Sequence, residues 1–534
     1  MTELKDLRPK NVRGVLVEDF VRGLSARVVR ADSNTQILGV TLDSADVAAG
    51  DLFVAIPGFK RHGAEFAKQA VSAGAVAVVS DRVGVEIASK IPGIALIEVE
   101  DPRSFAGLAA AKVYGNPGAH LNVVGVTGTN GKTTTTHFIH HVLTEMSGPT
   151  LLIGTVGVKF GDTHASSVRT SVEAPVLHRI LAWALEAGAK NVVMEVSSHA
   201  MSLHRVAGLT FDVAAFLNLQ RDHLDFHKTM ESYFEAKSLL FKPETAKKAV
   251  ICTDDDWGKK LAARVQIPSQ TVSTTAQADW QVESHSLNEE DAGTDVTVDF
   301  EGLKVQMHCT LPGMINVQNQ LTALAILTQL GFAPEQVSAE LGRTPGVPGR
   351  MEVVSKRSDV NPLVIVDFAH TPDALASACA ALDPVTPGNL WLLFGATGDR
   401  DRGKRPVMGE VASSSADVVI LTDDDIYSED PAQIRAEVAA GFTRSRAKAL
   451  LESDDRANAI RQAVVGASAR DTVLIAGRGH ETVQMIGDTA HELDDRVEAR
   501  AALLLRTGAN GLAKLPGGAA SQVRTVLKTW EDLR

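Results

Sequence analysis

Short apolar runs followed by polar or glycine-rich turns recur along the chain, with helical stretches between them. In the first 118 residues, apolar runs at 52–56 and 75–79 alternate with a helical stretch at 64–73. Buried strands that alternate with helices are typical of a parallel sheet with helices packed on it. The pattern therefore predicts an α/β fold. Taken alone, the polar turn at 43–44 is explained by an ordinary Asx or Ser turn.

The clearest pattern lies at 123–136, VVGVTGTNGKTTTT, where an apolar run leads into a glycine-rich turn and then into helical spacing. This context is typical of a phosphate-binding loop, because backbone N–H groups at a helix N-terminus face the anion. Lys132 supplies a charge for the outer phosphates and Thr133 a hydroxyl for magnesium. The strict G-x-x-x-x-G-K-[ST] pattern is missed by one place, at Val126. The alternative is an ordinary strand-to-helix turn.

Two further apolar runs of the central region, 191–194 and 213–217, also end in polar residues. Residues beyond the carboxyl ends of parallel strands lie at one edge of the sheet, where chemistry collects. His223, Asp225 and His227 follow the second run with the spacing of metal ligands, and a solvated loop explains them equally well.

The helix predicted at 229–241 places Lys237 on its packed face, together with Tyr233. A lysine in that position either extends to solvent or loses its charge through a shifted pKa. A neutral, shielded amine can react with carbon dioxide to give a carbamate able to hold magnesium.

Alternating apolar residues at 296–300 and 303–307 predict a peripheral hairpin with its turn at Glu301 and Gly302. Asn316 and Asn319 are predicted to precede the apolar helix that follows. They act either as N-caps or as amides that read a nucleotide base.

After a turn-rich segment at 344–354, four apolar strands each lead into a charged loop. The rule for parallel strands predicts that the polar residues of these loops share one rim. Arginines beside carboxylates suit a zwitterionic substrate. The predicted rim residues are Asp367, His370, Arg400, Lys404, Asp424, Arg478 and Glu481.

Length and charge narrow the class of protein. A chain of 534 residues predicts about three domains, for which we expect the bounds 1–118, 119–345 and 346–534. The net charge of -12 argues against binding to nucleic acid or to anionic membranes. No apolar run is long enough for membrane insertion, and three scattered cysteines give neither a disulfide framework nor a zinc pattern. We expect a cytoplasmic monomer.

The motifs taken in order closely resemble those of the Mur ligases over nearly the whole chain. The family's own loop is T-G-T-N-G-K-[ST], which accounts for the misfit at Val126. The motifs are GVTGTNGKTTT, MEVSSHAMSLHRV, NLQRDHLDFHKTMESYFEAK, PGRMEVV, VDFAHTPDAL, GATGDRDRGKRPVMG and GRGHETVQ. The resemblance implies three α/β domains: a small uridine-binding domain, a central P-loop ATPase-like domain with a parallel sheet, and a Rossmann-like C-terminal domain.

Within the family, the chain is similar to the members that add the third residue of the peptidoglycan stem peptide. The resemblance implies an ATP- and Mg²⁺-dependent ligase that joins a diamino acid to UDP-N-acetylmuramoyl-L-alanyl-D-glutamate. In that family the glutamate carboxylate takes the γ-phosphoryl group of ATP, and the incoming amine then displaces phosphate. Positioning and charge neutralisation suit such a transfer.

The resemblance also implies roles for individual residues. Lys132, Glu195, His223 and a carbamylated Lys237 are the expected catalytic set, with Thr133, Glu195, His223 and the carbamate on magnesium. The expected ATP contacts are Thr127, Gly128, Thr129, Asn130, Gly131, Lys132, Thr133, Asn319, Arg350, Asp367 and His370. The expected contacts of the UDP-muramyl dipeptide are Leu42, Ser44, Thr170, Ser171, Ser197 and Arg205. The expected contacts of the amino acid are Arg400, Asp424, Asp425, Tyr427, Gly477 and Glu481.

The largest departure from the family lies in the amino-acid pocket. Members that use meso-diaminopimelate read D-N-P-R there, with the arginine on the distal carboxylate, whereas this chain reads Asp424, Asp425, Ile426, Tyr427. A second carboxylate beside Asp425 would be repelled, so L-lysine is the expected amino acid. Ornithine, diaminobutyrate, or diaminopimelate held by Arg402 or Arg478 are the alternatives.

Two other classes of protein are alternatives to this reading of the sequence. A folylpolyglutamate synthetase lacks the uridine-binding first domain. A catalytically silent nucleotide-binding scaffold would be free to lose Lys132, Glu195, His223, Lys237 and Asp367, which are all present.

Overall fold

The computed structural model describes residues 3–58, 61–166, 170–287, 293–443 and 445–507. These residues form two compact units, one of 1–282, 298–305 and 318–341, the other of 283–297, 306–317 and 342–534. Residues 1–2 and 508–534, which belong to the first and last predicted domains, lie outside the described residues. The three domain bounds stay a prediction. Across the described ranges, no helix combines the length and apolar character needed to cross a membrane.

The beginning of the first unit is a sheet in the order β2-β7-β6-β5-β4, in which β4 to β7 are parallel and β2 is antiparallel. Side chains of Asp81 and Asp101 cap α3 and α4 by accepting hydrogen bonds from backbone N–H groups. The elements are β1 Val15–Leu16, α1 Val17–Val21, β2 Ala26–Arg30, β3 Gln36–Ile37, β4 Gly39–Thr41, β5 Asp51–Val54, α2 Ala67–Ser72, β6 Ala77–Ser80, α3 Arg82–Ala88, β7 Ala95–Val99 and α4 Pro102–Val113, with 3-10 helices at Leu4–Asp6, Gly63–Phe66 and Pro117–His120.

The elements that follow include the predicted loop, with β8 before it and α5 after it. They are β8 Asn122–Thr127, α5 Lys132–Met146, β9 Thr150–Gly154, β10 Gly157–Phe160, β11 Thr163–Ala165, α6 Ala174–Glu186, β12 Asn191–Glu195, α7 Ser198–Ser202, β13 Phe211–Phe216, α8 Leu224–His227, α9 Met230–Ser238, a 3-10 helix Leu239–Phe241, β14 Ala246–Cys252, α10 Asp256–Ala262, β15 Ser269–Ser273, β16 Trp280–Leu287, β17 Thr294–Phe300, β18 Leu303–Cys309, α11 Met314–Gln329 and α12 Pro334–Leu341.

Strand β8 lies in the middle of the central sheet, between β12 and β13, and both pair with it in parallel. Strands β9 and β14 extend the parallel sheet on either side. Several apolar residues of these strands, such as Val123, Val192 and Phe216, are fully buried in one core. The parallel register brings the ends of β8, β12 and β13 to the same edge, as the polar residues after each strand predicted.

The predicted hairpin is confirmed by β17 and β18, whose turn at Glu301 and Gly302 has positive φ angles of 51° and 85°. The predicted N-cap role of Asn316 and Asn319 is wrong, because both residues lie inside α11, which begins at Met314. The helix starts directly after Gly313, whose φ is +93°. The Asn316 side chain instead donates to the carbonyl of Pro312, just before the helix, at 2.8 Å.

The second unit contains a sheet in the order β19-β20-β24-β21-β22-β23, parallel except for β19. This arrangement matches the predicted α/β fold and aligns the ends of β20, β24, β21 and β22. The elements are β19 Glu352–Ser355, β20 Leu363–Asp367, α13 Pro372–Leu382, a 3-10 helix Asp383–Val385, β21 Leu390–Phe394, α14 Lys404–Ser415, β22 Val418–Leu421, α15 Pro431–Ala439, β23 Ala449–Glu452, α16 Arg456–Gly466, β24 Thr472–Ala476, β25 Val483–Ile486, β26 Thr489–Glu492 and α17 Asp495–Thr507.

Candidate active site

The loop at 127–133 joins the end of β8 to the start of α5, as its sequence predicted. Its shape is held by Asn218, whose side chain accepts from the Asn130 N–H at 2.9 Å and donates to the Asn130 carbonyl at 3.1 Å. Lys132 Nζ donates to the carbonyls of Gly128 and Thr129, both at 2.9 Å. The loop therefore places backbone N–H groups and a lysine at the N-terminus of a 15-residue helix, a geometry suited to phosphate.

Gly131 needs to be glycine for two reasons. Its φ of +87° is in the left-handed region, and a Cβ atom there would collide with Oδ1 of Asn319. This contact brings Asn319, from α11, against the loop, although 188 residues separate the two in sequence. Both residues were expected to contact ATP, and the structure places them together.

Glu195 lies at the end of β12 and is only 1% exposed. Its Oε1 accepts from the Thr133 hydroxyl at 3.0 Å. Mg²⁺ prefers oxygen ligands and is usually held by one or two carboxylates together with substrate phosphates. The pair of Glu195 and Thr133 beside a phosphate-binding loop therefore fits a magnesium ion.

His223 fits that ion less well. Its side chain is 46% exposed, and its Nε2 lies 3.4 Å from Asp222 Oδ2. His227, by contrast, is buried, and its ring nitrogen lies 2.8 Å from the Ser198 hydroxyl. Among the residues that the structure describes, no group of three or more His, Cys, Asp or Glu is placed to hold a metal ion. The predicted His223–Asp225–His227 cluster is therefore not formed by those of its side chains that are described.

Lys237 is 1% exposed, which confirms that it lies on the packed face of α9. Its Nζ donates to the Gly128 carbonyl at 2.8 Å and lies 4.7 Å from the centre of the Tyr233 ring. Burial, and secondly the charge of Lys132, lower the pKa of Lys237 well below its usual value. Burial therefore shifts the amine toward its neutral form, the form that reacts with carbon dioxide.

The residues expected at the dipeptide site form a connected group around Glu195. Ser171 donates to the Glu195 carbonyl at 3.0 Å and accepts from the Ser197 N–H at 3.2 Å. Arg205 pairs with Glu173 at 3.1 Å and donates to the Ser171 carbonyl at 3.4 Å. Thr170 joins the same group through Thr155, 3.2 Å away.

The two residues expected at the uridine lie beyond β4. Leu42 packs against the core of the first sheet, and the Ser44 hydroxyl donates to Gln69 at 3.3 Å. Asp43 accepts from the Ala45 N–H at 2.9 Å, which confirms the Asx turn.

In the second unit, three residues expected at ATP lie beside Phe368. Asp367 accepts from the backbone N–H groups of Met351 and Ala369, at 2.7 and 2.9 Å. Burial raises the pKa of Asp367 and lowers that of His370. The Arg350 guanidinium lies over the Phe368 ring, 4.4 Å from its centre.

The amino-acid residues gather at the ends of β22 and β24. Arg478 is fully buried and donates to Asp425 at 2.7 Å and to the Val483 carbonyl, and its Nη1 lies 3.6 Å from Asp424 Oδ1. Asp425 is therefore paired with an internal cation, which reduces the charge on which the expected repulsion of a second carboxylate depends. The burial of the Arg478 side chain argues against the alternative in which Arg478 grips that carboxylate, and both stay predictions.

Glu481 and Gly477 border the same acidic group. Glu481 is 37% exposed and lies 3.9 Å from Arg478. Burial, with help from Asp424 and Asp425, raises the pKa of Glu481 to about 7. At Gly477, a Cβ atom would lie 2.9 Å from Asp424 Oδ2, so the missing side chain leaves space beside that carboxylate.

Arg400 and Tyr427 lie at the outer side of this group. The Arg400 guanidinium is 5.8 Å from the centre of the Tyr427 ring. Tyr427 has a φ of +47°, which is strained for a residue with a side chain. Arg402, the other alternative for the distal carboxylate, pairs with Glu429 at 2.8 Å.

Sequence reasoning assigned no role to three residues that build these sites. Thr155 holds Glu195, Asn218 holds the loop, and Arg456 forms a fully buried ion pair with Asp495 at 2.7 Å, beneath Gly477. Asn218 carried a usable signal, since it is the first polar residue after β13. Thr155 and Arg456 carried none, because their partners are distant in sequence.

A phosphate-binding loop on one parallel sheet and a charged rim on a second define an α/β protein suited to a nucleoside phosphate and a charged small molecule. Three family models match the chain: the Mur ligase family catalytic domain at 36–114, the Mur ligase middle domain at 126–327 and the Mur ligase glutamate ligase domain at 349–479.

Similar proteins agree with these models. The chain is 39% identical over 500 residues to a UDP-N-acetylmuramoyl-L-alanyl-D-glutamate–2,6-diaminopimelate ligase of Corynebacterium glutamicum, covering 91% of this chain and 96% of that one. It is 42% identical to the ligase of the same name of Synechococcus elongatus, covering 93% and 100%. A solved structure of a ligase of that name is 30% identical, with a TM-score of 0.70, covering 93% of this chain and 100% of that one.

The chain belongs to the Mur ligase family. It is an acid–amino-acid ligase with the three-domain α/β fold of that family.

Proposed function

We propose that this ligase couples ATP cleavage to the joining of a diamino acid to UDP-N-acetylmuramoyl-L-alanyl-D-glutamate, in the cytoplasm and as a monomer. The observation that carries the proposal is the loop at 127–133 with Lys132 and the buried Lys237 amine at its carbonyls. The names of the relatives supply the acceptor and the class of amino acid.

The proposed reaction has two steps. A glutamate carboxylate oxygen of the acceptor attacks the γ-phosphorus, and the bond from that phosphorus to the bridging oxygen breaks, which releases ADP. The amine nitrogen of the diamino acid then attacks the acyl carbon, loses a proton and releases phosphate. Lys132 and the loop N–H groups stabilise the phosphoryl charge during the first step.

We propose that Thr133 and Glu195 hold Mg²⁺, with His223 and the carbamate of Lys237 as further ligands. When bound, that ion supplies charge neutralisation at the phosphoryl oxygens. Asn319, Arg350, Asp367 and His370 are proposed to bind the nucleotide.

Binding of the acceptor dipeptide is proposed for the residues around Glu195 and beyond β4. These are Leu42, Ser44, Thr170, Ser171, Ser197 and Arg205. Their hydroxyls and the Arg205 guanidinium suit carboxylate and phosphate oxygens.

For the amino acid, meso-diaminopimelate is the first candidate, because relatives at 39% and 42% identity are named for it. Lysine is the second candidate, favoured by Tyr427 at the position of the distal-carboxylate arginine and by the enclosure of Arg478. In both cases Glu481 and Asp424 are proposed to hold an ammonium, and Arg400 the α-carboxylate.

The test is phosphate release from ATP with the UDP-muramyl dipeptide and one amino acid at a time: meso-diaminopimelate, lysine, ornithine and diaminobutyrate. We expect release only when all three reactants are present, and loss of release in Lys132→Ala. Lys90→Ala, at an exposed lysine, is the matched control and retains activity. Failure with every amino acid would contradict the proposal.

A further inference from the structure

Glu195, the carboxylate that we assign to the cation, is held by one residue through two hydrogen bonds. The Thr155 N–H donates to Oε1 at 2.8 Å, and the Thr155 hydroxyl donates to Oε2 at 3.0 Å. With the Thr133 hydroxyl on Oε1, both carboxylate oxygens are oriented in a site that is almost closed to water. Hydrogen bonds to both oxygens fix the orientation of a buried carboxylate in a network of this kind.

The backbone explains how Thr155 reaches Glu195. Strands β9 and β12 are parallel neighbours, with Ile153 paired to Met194, so the ends of the two strands lie side by side. Gly154 stands at the end of β9, and a Cβ atom there would collide with Oε1 of Glu195. The glycine therefore lets the carboxylate reach the N–H group of the next residue.

Thr155 also contacts the residues that we assign to the acceptor dipeptide. Its hydroxyl oxygen lies 3.2 Å from that of Thr170. The hydroxyl has one proton and two nearby acceptors, and the carboxylate is the stronger one. The single Thr155 proton is therefore shared unequally between the Glu195 carboxylate and the Thr170 oxygen, and Thr155 links these two residues.

We propose that Thr155 is a positioning residue that couples acceptor binding at Thr170 to cation binding at Glu195. The inference rests on the proposed function, because that function assigns the acceptor to Thr170 and the cation to Glu195. The acceptor carries carboxylates, and a hydrogen bond from Thr170 to one of them makes the Thr170 oxygen a stronger acceptor for the Thr155 proton. Thr155 then donates less strongly to Glu195, and the carboxylate becomes the better ligand for a cation. Coupling of this kind is reciprocal.

The experiment measures binding of Mn²⁺, a paramagnetic stand-in for Mg²⁺, to the full chain with ADP, with and without the UDP-muramyl dipeptide. For the wild type we expect the dipeptide to tighten Mn²⁺ binding about fivefold, the lower end of usual coupling between sites. Thr155→Ser keeps the hydroxyl and retains this ratio. Thr155→Val loses the hydroxyl, and its ratio falls to about one.

Two further variants distinguish a loss of coupling from a general structural effect of the substitution. Thr170→Val breaks the link between Thr155 and Thr170, with the bonds of Thr155 to Glu195 in place, and also loses the ratio. Thr144→Val, at an exposed hydroxyl of α5, keeps the ratio. Because Thr170→Val leaves the two hydrogen bonds from Thr155 to Glu195 in place, it tests the inference even if Thr155→Val fails to fold.

The outcomes distinguish the inference from the proposed function. Wild-type protein that binds dipeptide and Mn²⁺ independently, or a Thr155→Val variant that retains the full ratio, overturns the coupling alone. Wild-type protein that binds neither ligand overturns the proposed function and the coupling with it.

Discussion

The edge of the central sheet in the first unit and the rim of the sheet in the second unit occupy the same topological position but have opposite electrostatics. At the first, buried Lys237 donates to a carbonyl and feels the charge of a second lysine, Lys132. At the second, buried Arg456 and Arg478 are ion-paired, and Glu481 still feels the charges of several aspartates.

The difference teaches how one architecture serves two kinds of ligand. Burial penalises whichever form is charged, so it drives Lys237 toward a neutral amine and Glu481 toward a neutral acid. An ammonium relieves the penalty at Glu481 by favouring its carboxylate, so the second region suits an ammonium. In the first region Lys132 and the loop N–H groups suit an anion such as a triphosphate, whereas the neutral Lys237 is the form that reacts with carbon dioxide.

The largest expected effect is on turnover in Lys237→Ala. Removing the buried amine also removes the proposed carbamate, so we expect kcat to fall about 10³-fold, the scale of losing one group that stabilises developing charge. Short carboxylates such as formate, added to the assay, should restore part of the activity. Lys247→Ala, at an exposed lysine, is the control. Full activity in Lys237→Ala would remove the residue from the mechanism.

Removing a buried cationic side chain is expected to lower the free energy of unfolding much more in the second region than in the first. Arg456→Met leaves Asp495 buried without its partner, and we expect the free energy of unfolding to fall by about 3–5 kcal/mol. Lys237→Met removes an amine held by a carbonyl and should change stability by no more than about 1 kcal/mol. Denaturant unfolding measures both, with Arg264→Met at an exposed ion pair as the control. Equal losses of unfolding free energy in Arg456→Met and Lys237→Met would mean that the two buried side chains contribute equally to stability, which would contradict the comparison.

A pair of glycines tests whether the loop is shaped for an anion. Gly131→Ala adds a Cβ that collides with Asn319, whereas Gly188→Ala has a similar φ, +91°, and nothing nearby. Both variants should lose about 1–2 kcal/mol of stability through backbone strain, and Gly131→Ala should lose more because of its collision with Asn319. Only Gly131→Ala should also weaken ATP binding, by about 10²-fold, measured by nucleotide titration. The same ATP affinity in both variants would contradict the assignment of the loop.

The smallest expected effect concerns pH. The pKa of Glu481 is raised to about 7, chiefly by burial, so its carboxylate forms as pH rises through 7. An ammonium binds the ionised form, and amino-acid binding should therefore tighten about tenfold from pH 6 to pH 8. Equilibrium binding in the presence of ADP and dipeptide measures this change, and Glu481→Gln should abolish it. If amino-acid binding to Glu481→Gln still tightened between pH 6 and pH 8, the pH dependence would belong to another titratable group.

Local pattern was enough to predict several elements. The strand, loop and helix at 122–146 follow from apolar spacing and from glycines, whose effects act within a few residues. The four apolar strands predicted after residue 354 correspond to β20, β21, β22 and β24. The start of α11 was not, because asparagines inside a helix and asparagines that cap it look alike in sequence.

The sequence by itself determined which residue types stand at the end of each strand, and hence the α/β fold, the phosphate-binding loop and the polar rims. Only the tertiary structure decided how their charges are balanced. Asp425 meets Arg478 across 53 residues, and Glu195 meets Thr155 across 40. Such partners are set by the pairing order of strands in the sheets, and the burial that shifts the pKa values of Lys237 and Glu481 exists only once those sheets have formed.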